Sequence, residues 1–278
     1  MKDFKDKVAV VTGAASGIGF AMAQRFAAAG MQVVVADVEE AALESAAKAL
    51  RAAGANVFPA VVDVSQAAEV ERLAAEACAR FGAVHILCNN AGVAGGGAPA
   101  WEQSLPSWQW ILGVNLWGVI HGVHSFVPRM LKTGVEGHVV NTASVAGLRT
   151  GPFISPYHVS KHAVVALSES LYFDLQLAQA KVSVSVLCPA FAKTKIAESA
   201  RNQPPAAKST PYPEAMRTRV ERGMAPEQIA ERVFEAVRDD QFWILTHREF
   251  DELIRARCEG MLARRNPVPV VFSAAQNV

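Results

Sequence analysis

The run Lys7-Val8-Ala9-Val10-Val11-Thr12-Gly13-Ala14-Ala15-Ser16-Gly17-Ile18-Gly19 decides how the rest of the chain is read. From Lys7 to Val11 it has the composition of a strand buried on both faces. Gly13, Gly17 and Gly19 then fall where that strand must turn into a helix. Glycine permits the tight turn and lets backbone N–H groups approach an anion, which a helix N-terminus also attracts. Such a turn is often a packing device and nothing more. Its place after the first strand of an α/β pattern is what makes it a candidate dinucleotide cradle.

That pattern continues along the chain. Helix Ile18 to Ala29 is followed by strand Gln32 to Ala36, helix Glu40 to Ala53, strand Val57 to Val62, helix Ala67 to Phe81 and strand Val84 to Cys88. The periodicity then predicts one long helix over Ser107 to Leu131, strand His138 to Thr142, and a helix from Ser155 to about Ala180 with a serine cap and Pro156 in its first turn. Strand Val182 to Cys188, helix Pro226 to Arg238, strand Phe242 to Leu245 and helix Glu249 to Arg264 complete the reading. Apolar strands alternating with helices predict an α/β fold: a Rossmann-like, doubly wound parallel sheet with helices on both faces and its ligand at the carboxyl ends of the strands. We read residues 1–278 as a single domain. Pro204, Pro205, Pro211 and Pro213 interrupt 193–226, which reads as a loop or lid over the substrate, and 239–278 as a C-terminal extension.

With 27 basic and 26 acidic residues the net charge is +1, which gives no electrostatic footprint for nucleic acid or an anionic membrane. Hydrophobic residues make up 51%, enough to bury a core in a chain of 278 residues. Lys2, Lys5 and Lys7 precede an apolar stretch, superficially like a signal peptide, but Val8 to Val11 is too short and runs into the glycine turn. No later run is read as a membrane span. Cys78, Cys88, Cys188 and Cys258 are scattered and read as reduced thiols, so a soluble, cytoplasmic protein is expected.

Asp37 lies 18 residues past Gly19, at the end of the second predicted strand. A carboxylate there can accept both ribose hydroxyls of NAD and repel the 2′-phosphate of NADP. Its alternative role is to cap the helix near Glu40. Ser16 and Val38 offer no positive charge for a phosphate, which favours NAD.

Tyr157 and Lys161 are four apart on one predicted helix, hence on one face. A tyrosine with a free pKa near ~10 is a poor acid-base group at neutral pH. An ammonium roughly 5 Å away, at an effective dielectric of about 20, contributes on the order of 3 kcal/mol, or ~2 pK units. Ser144, 13 residues before Tyr157, is placed to donate a hydrogen bond to a substrate oxygen. A Tyr-x-x-x-Lys pair is common by chance, and its position gives it value.

Several motifs now stand in order: Thr12-Gly13-x-x-x-Gly17-x-Gly19, Asp63-Val64, Asn89-Asn90-Ala91-Gly92, Asn115, Ser144, Tyr157-x-x-x-Lys161, and Pro189 with Thr194. Over about residues 5 to 195 the chain resembles the short-chain dehydrogenase/reductases of the compact, single-domain type. The resemblance implies hydride transfer between a nicotinamide and a secondary alcohol or ketone. Tyr157 would be the proton donor in reduction and the base in oxidation. Lys161 would hold the nicotinamide ribose and lower the tyrosine pKa, Ser144 polarise the carbonyl, and Asn115 hold a water in the proton relay. Asp63 and Val64 would lie against the adenine, Asn89 near the adjoining ribose, and Thr194 near the carboxamide. Gly13, Ser16, Gly17, Ile18, Gly19, Ala91, Gly92 and Pro189 complete the implied cofactor site. Ala190 departs from the family's usual glycine and puts the placement of the nicotinamide ring in question. The resemblance also implies a homodimer or homotetramer, built on the helices beginning near Ser107 and Ser155.

Phe153 and Phe191 are candidates for an apolar substrate wall, with Ile196, Met216 and Met224 closing over it from the lid. Trp101, Trp108, Trp110 and Trp117 read as core or subunit contacts. His158 and His162, like His121 and His124, have a metal-compatible spacing without an acidic third ligand, so no metal is expected. The expected partner is a small, apolar alcohol or ketone. Two other readings stay open: an NADP-dependent carbonyl reductase, differing at Asp37, and a dinucleotide-sensing protein without catalysis. The spacing of the glycine turn argues against an extended sugar-nucleotide epimerase.

Overall fold

In the computed structural model, which describes residues 1–207 and 214–268, the opening strand and turn lie at the centre of a parallel sheet. Strands β1 (Val8–Thr12), β2 (Gln32–Asp37), β3 (Val57–Val61), β4 (Ile86–Asn89), β5 (Gly137–Thr142), β6 (Val182–Cys188) and β7 (Trp243–Leu245) are ordered β3-β2-β1-β4-β5-β6-β7. Every described pairing is parallel, beginning with Val8 opposite Gln32 and Val10 opposite Leu87. The order reverses between β1 and β4, which opens a crevice at their carboxyl ends.

Helices α1 (Gly17–Ala28), α2 (Glu40–Ala52), α3 (Ala67–Phe81), α4 (Leu105–Leu112), α5 (Gly118–Thr133), α6 (Ser155–Leu177), α7 (Glu214–Glu221), α8 (Pro226–Asp239) and α9 (Asp251–Leu262) accompany the sheet. On one face Met22 and Phe26 of α1 pack with Ile229 and Val233 of α8 over Val11, Val33 and Val35. On the other, Leu73 of α3, Phe126 and Met130 of α5, and Leu171 of α6 cover Val10, Val34 and Val139. Both faces of β1 are therefore buried, which accounts for its unbroken apolar run.

Four details depart from the sequence reading. The long helix expected over Ser107 to Leu131 is broken by a π-helical turn at Gly113–Trp117, where Gly118 N bonds Gly113 O. Ser155 does not cap α6. Ile154 occupies the cap position with no side-chain cap bond, and Ser155 is already helical. The combined stretch Leu105–Thr133 is long and apolar enough to cross a membrane, contrary to expectation, but one side of it is buried against β4, α3 and α6 as a core helix. Segment 193–226 is not plain loop. It contains a 3-10 segment Lys195–Asn202 and α7, while Pro211 and Pro213 lie outside the described residues.

α5 meets β4 closely at Gly122, which has no side chain. A Cβ there would stand 1.9 Å from Asn89 Oδ1, itself buried without a hydrogen-bond partner. Gly122→Ala should therefore push the helix off β4, lose roughly 1–3 kcal/mol and lower Tm by about 5 °C. Thermal unfolding followed by circular dichroism checks this, and an unchanged Tm would contradict the packing described.

Candidate active site

The crevice is a cleft of about 960 Å3 running across the carboxyl ends of the strands. At one end, Gly13, Ser16, Gly17 and Ile18 form the turn from β1 into α1. Gly13 and Gly17 have positive φ, 66° and 57°. A Cβ on Gly13 would meet Ala91 Cα at 2.8 Å, and one on Gly17 would meet Thr194 Cγ2 at 3.0 Å. This bare backbone at a helix N-terminus fits a pyrophosphate. Gly19 does not line the cleft. Its Cα faces Gly13 O, where a Cβ would come within 2.2 Å, so its role is close packing of helix on turn.

Asp37 ends β2 on the cleft wall, its Oδ2 accepting from Ala15 N at 3.0 Å and its Oδ1 from Glu39 N at 3.1 Å. Burial raises its pKa, while these N–H groups act to lower it. The carboxylate is thus fixed in orientation, as a ribose acceptor must be. The helix-cap alternative fails in its simple form, because the residue preceding α2 is Glu39. One expectation is corrected here. Positive charge is present after all, because Arg201 Nη2 of the 3-10 segment reaches Glu39 Oε1, with Lys195 nearby.

Asp63, Val64, Ala91, Gly92, Pro189 and Thr194 all line the cleft. The Asn89 side chain does not. It is turned under the sheet, donating to Asn141 Oδ1 at 2.9 Å, so its expected place beside a ribose is corrected. Asn90 is the residue that faces the cleft, and its Nδ2 bonds Thr12 O at 3.0 Å.

Ser144, Tyr157 and Lys161 converge on the same cleft. Tyr157 and Lys161 share a face of α6, with Lys161 Nζ 5.7 Å from the tyrosine ring centre. Lys161 is 3% exposed and donates to Thr142 O at 2.9 Å. Burial lowers its pKa to about 8. Cys188 lies beside it, its own thiol pushed up to about 12 by burial and hence neutral. The Ser144 hydroxyl donates to Pro189 O at 3.1 Å and accepts from Ala146 N. Turning about χ1 would redirect it to a substrate oxygen. Asn115 sits in the π turn behind this group and does not line the cleft. Its Oδ1 accepts from Val93 N at 2.8 Å, and its Nδ2 donates to Val93 O and Ser160 Oγ. Asn115 Oδ1 and Lys161 Nζ approach the same spot, within 3.5 and 3.6 Å of where a Gly92 Cβ would be.

Phe153, Phe191, Ile196 and Met216, the expected substrate wall, all line the cleft. Met224 is not part of it. It pairs with Ala192 and packs into the core. Trp110, expected as a core or subunit contact, does line the cleft, whereas Trp101 and Trp117 are exposed. Phe153 has φ 68°, a strained conformation for a bulky residue. Its carbonyl is held by Gly97 N at 2.6 Å and Gln103 Nε2 at 3.2 Å, and its ring is half-exposed. The turn at Ala190 is braced by a residue that belongs to no motif. His247 Nδ1 accepts from Ala190 N at 3.2 Å, and its Nε2 lies 3.1 Å from Phe191 O. Three of the histidines with metal-compatible spacing meet backbone: Nδ1 of His121, His158 and His162 lies 2.9 Å from the carbonyls of Val64, Ala146 and His158.

The short chain dehydrogenase family model matches residues 7–205. A short-chain dehydrogenase/reductase from Burkholderia phymatum, solved in complex with NAD, superposes with a TM-score of 0.94 at 44% identity, covering 98% of this chain and 100% of that one. The C alpha-dehydrogenase of a Sphingobium species is 37% identical over 94% of this chain and 87% of its own length. The 1-deoxy-11-beta-hydroxypentalenate dehydrogenase of Streptomyces exfoliatus is 38% identical over 90% and 86%.

Lys161 supplies a test of the site's electrostatics. A lysine whose folded pKa is below its unfolded value penalises the native state while both states are protonated. The penalty disappears as pH rises from about 8 towards 10.5, because there the unfolded chain binds the extra proton. Over that window wild-type stability should gain about 3 kcal/mol relative to Lys161→Met. Urea unfolding at several pH values measures the difference, and parallel pH profiles would refute the burial described.

Proposed function

The chain belongs to the short-chain dehydrogenase/reductase family, as an NAD(P)-dependent oxidoreductase of CH–OH and carbonyl groups, and we propose that it uses NAD on an apolar secondary alcohol or ketone. The observation that carries the proposal is the meeting, in one cleft, of the glycine turn, the Asp37 carboxylate and the Ser144, Tyr157 and Lys161 side chains.

In this reading Gly13, Ser16, Gly17 and Ile18 hold the pyrophosphate, Asp37 the adenosine ribose, and Asp63 and Val64 the adenine. Ala91, Gly92, Lys161, Pro189 and Thr194 hold the nicotinamide half. When bound, the nicotinamide accepts or supplies the hydride at the substrate carbon. The protein's own groups manage the oxygen. Tyr157 gives its phenolic proton to the carbonyl oxygen in reduction and takes it back in oxidation. The Lys161 ammonium favours the phenolate electrostatically, more strongly in this buried setting than in water. Ser144 donates to the oxygen while charge develops on it. Asn115 fixes the loop at Val93, and a water held there would carry the proton onward.

NAD is favoured over NADP because Asp37 and Glu39 place two carboxylates at the end of β2, where a 2′-phosphate would add like charge. An apolar substrate is favoured by the Phe153, Phe191, Trp110, Ile196 and Met216 walls, with 193–226 serving as the lid. Exposed Val159, Phe173 and Leu177 on α6 support a homodimer or homotetramer. Four cysteines without a disulfide support a cytoplasmic location.

The first experiment is NADH formation from NAD with a panel of secondary alcohols, from short aliphatic to bulky aromatic. Tyr157→Phe should lower turnover at least ~100-fold with NAD binding retained. Substantial residual activity would contradict the role given to Tyr157, and equal turnover with NADP at low concentration would remove the NAD preference. Phe153→Gly relieves a positive φ and removes the ring. It should raise stability by about 0.5 kcal/mol yet raise KM for the best substrate. An unchanged KM would take Phe153 out of the substrate wall.

A further inference from the structure

Glu39 lies two residues past Asp37, on the same cleft wall. Its Oε1 accepts from Arg201 Nη2 at 2.5 Å and from Asn202 Nδ2 at 2.8 Å, across 162 and 163 residues of sequence. Arg201 is steadied by a second bond, Nη1 to Lys195 O at 3.3 Å. The Arg201 guanidinium, then Asn202 and Lys195, hold the Glu39 carboxyl below its ordinary range against the opposing effect of burial. The same 3-10 segment is tied elsewhere to the cleft. Ser199 Oγ accepts from Ala94 N at 2.9 Å, and the Thr194 side chain packs over Gly17. Lys195–Asn202 therefore crosses from the glycine turn to the end of β2.

A guanidinium on the cleft wall that carries Asp37 and Glu39 has the shape and charge to take a phosphate by paired hydrogen bonds. Here its Nη2 is already committed to Glu39. We propose that the Glu39–Arg201 pair is a second determinant of cofactor choice, in which Glu39 withholds Arg201 from the 2′-phosphate of NADP. The proposal rests on the reading of this cleft as a dinucleotide site. The plainer account is a partly exposed ion pair that contributes little beyond stability. The two accounts differ in what removal of Glu39 does to the choice between cofactors.

The test is direct titration of NAD and NADP, followed by calorimetry, into the wild type, Glu39→Gln, Arg201→Ala and the double variant, with Tm recorded for each. Glu39→Gln removes one negative charge and weakens the hold on Arg201, so NADP should bind about tenfold tighter or more, with NAD changed little. Adding Arg201→Ala should abolish the gain, and raising the salt concentration should shrink it. A lowered Tm with the NADP:NAD ratio unchanged would overturn the proposal in favour of the plain ion pair. A gain that survives in the double variant would overturn it too, because charge removal alone would then be the cause. Wild-type protein that binds neither dinucleotide would overturn the reading of the cleft itself, an outcome distinct from an unchanged ratio.

Discussion

Between β1 and β4 the order of the sheet reverses, and a cluster of side-chain hydrogen bonds fastens the two strands where their connections part. Thr12 Oγ1 donates to Cys88 O and accepts from Asn90 N and Ala91 N, while Asn90 Nδ2 returns to Thr12 O. Thr142 Oγ1 of β5 donates to Asn90 Oδ1. Three strand ends are thereby locked together. The glycine turn leaves from one, the Ala91-Gly92 backbone from the second, and the Ser144 loop from the third. The glycine turn, the Ala91-Gly92 backbone and the Ser144 loop share this single constraint.

The site is built at some expense to the fold. Lys161 is held almost fully buried with its charge, and its described hydrogen bond is to one carbonyl. Phe153 is held at positive φ by a neighbouring loop rich in glycine, in which Gly96 comes so close that a Cβ would lie 2.6 Å from Phe153 O. Such features persist only where surrounding packing over-determines them, and here the two-faced core supplies that surplus.

Much of this was legible in the sequence, for identifiable reasons. β1, α1, β2 and α3 were read to within a residue or so because their apolar periodicity and glycine breaks are local signals. The Tyr157–Lys161 pair was legible because four residues on a helix fix a shared face. What depends on distant chain was not. Asn89 and Asn90 are adjacent, and only the strand's direction decides which one faces the cleft. Arg201 reaches Glu39 from 162 residues away in sequence, so the positive charge at the end of β2 leaves no sign in the residues near Asp37. The π turn at Gly113–Trp117 disturbs hydrogen bonding without disturbing hydropathy, so it left no trace in the pattern. His247 and Trp110 carry no motif, and their roles arise from packing alone.

The bracing of Ala190 and Phe191 by His247 has a consequence for the order in which the site can be completed during synthesis. The glycine turn, the Ser144, Tyr157 and Lys161 group and segment 193–226 are all translated before residues 243–247. Until that stretch has left the ribosome and β7 has paired with β6, the turn at Pro189–Phe191 lacks its imidazole partner. A nascent chain can thus carry Ser144, Tyr157 and Lys161 in full and still lack the imidazole that braces the neighbouring turn.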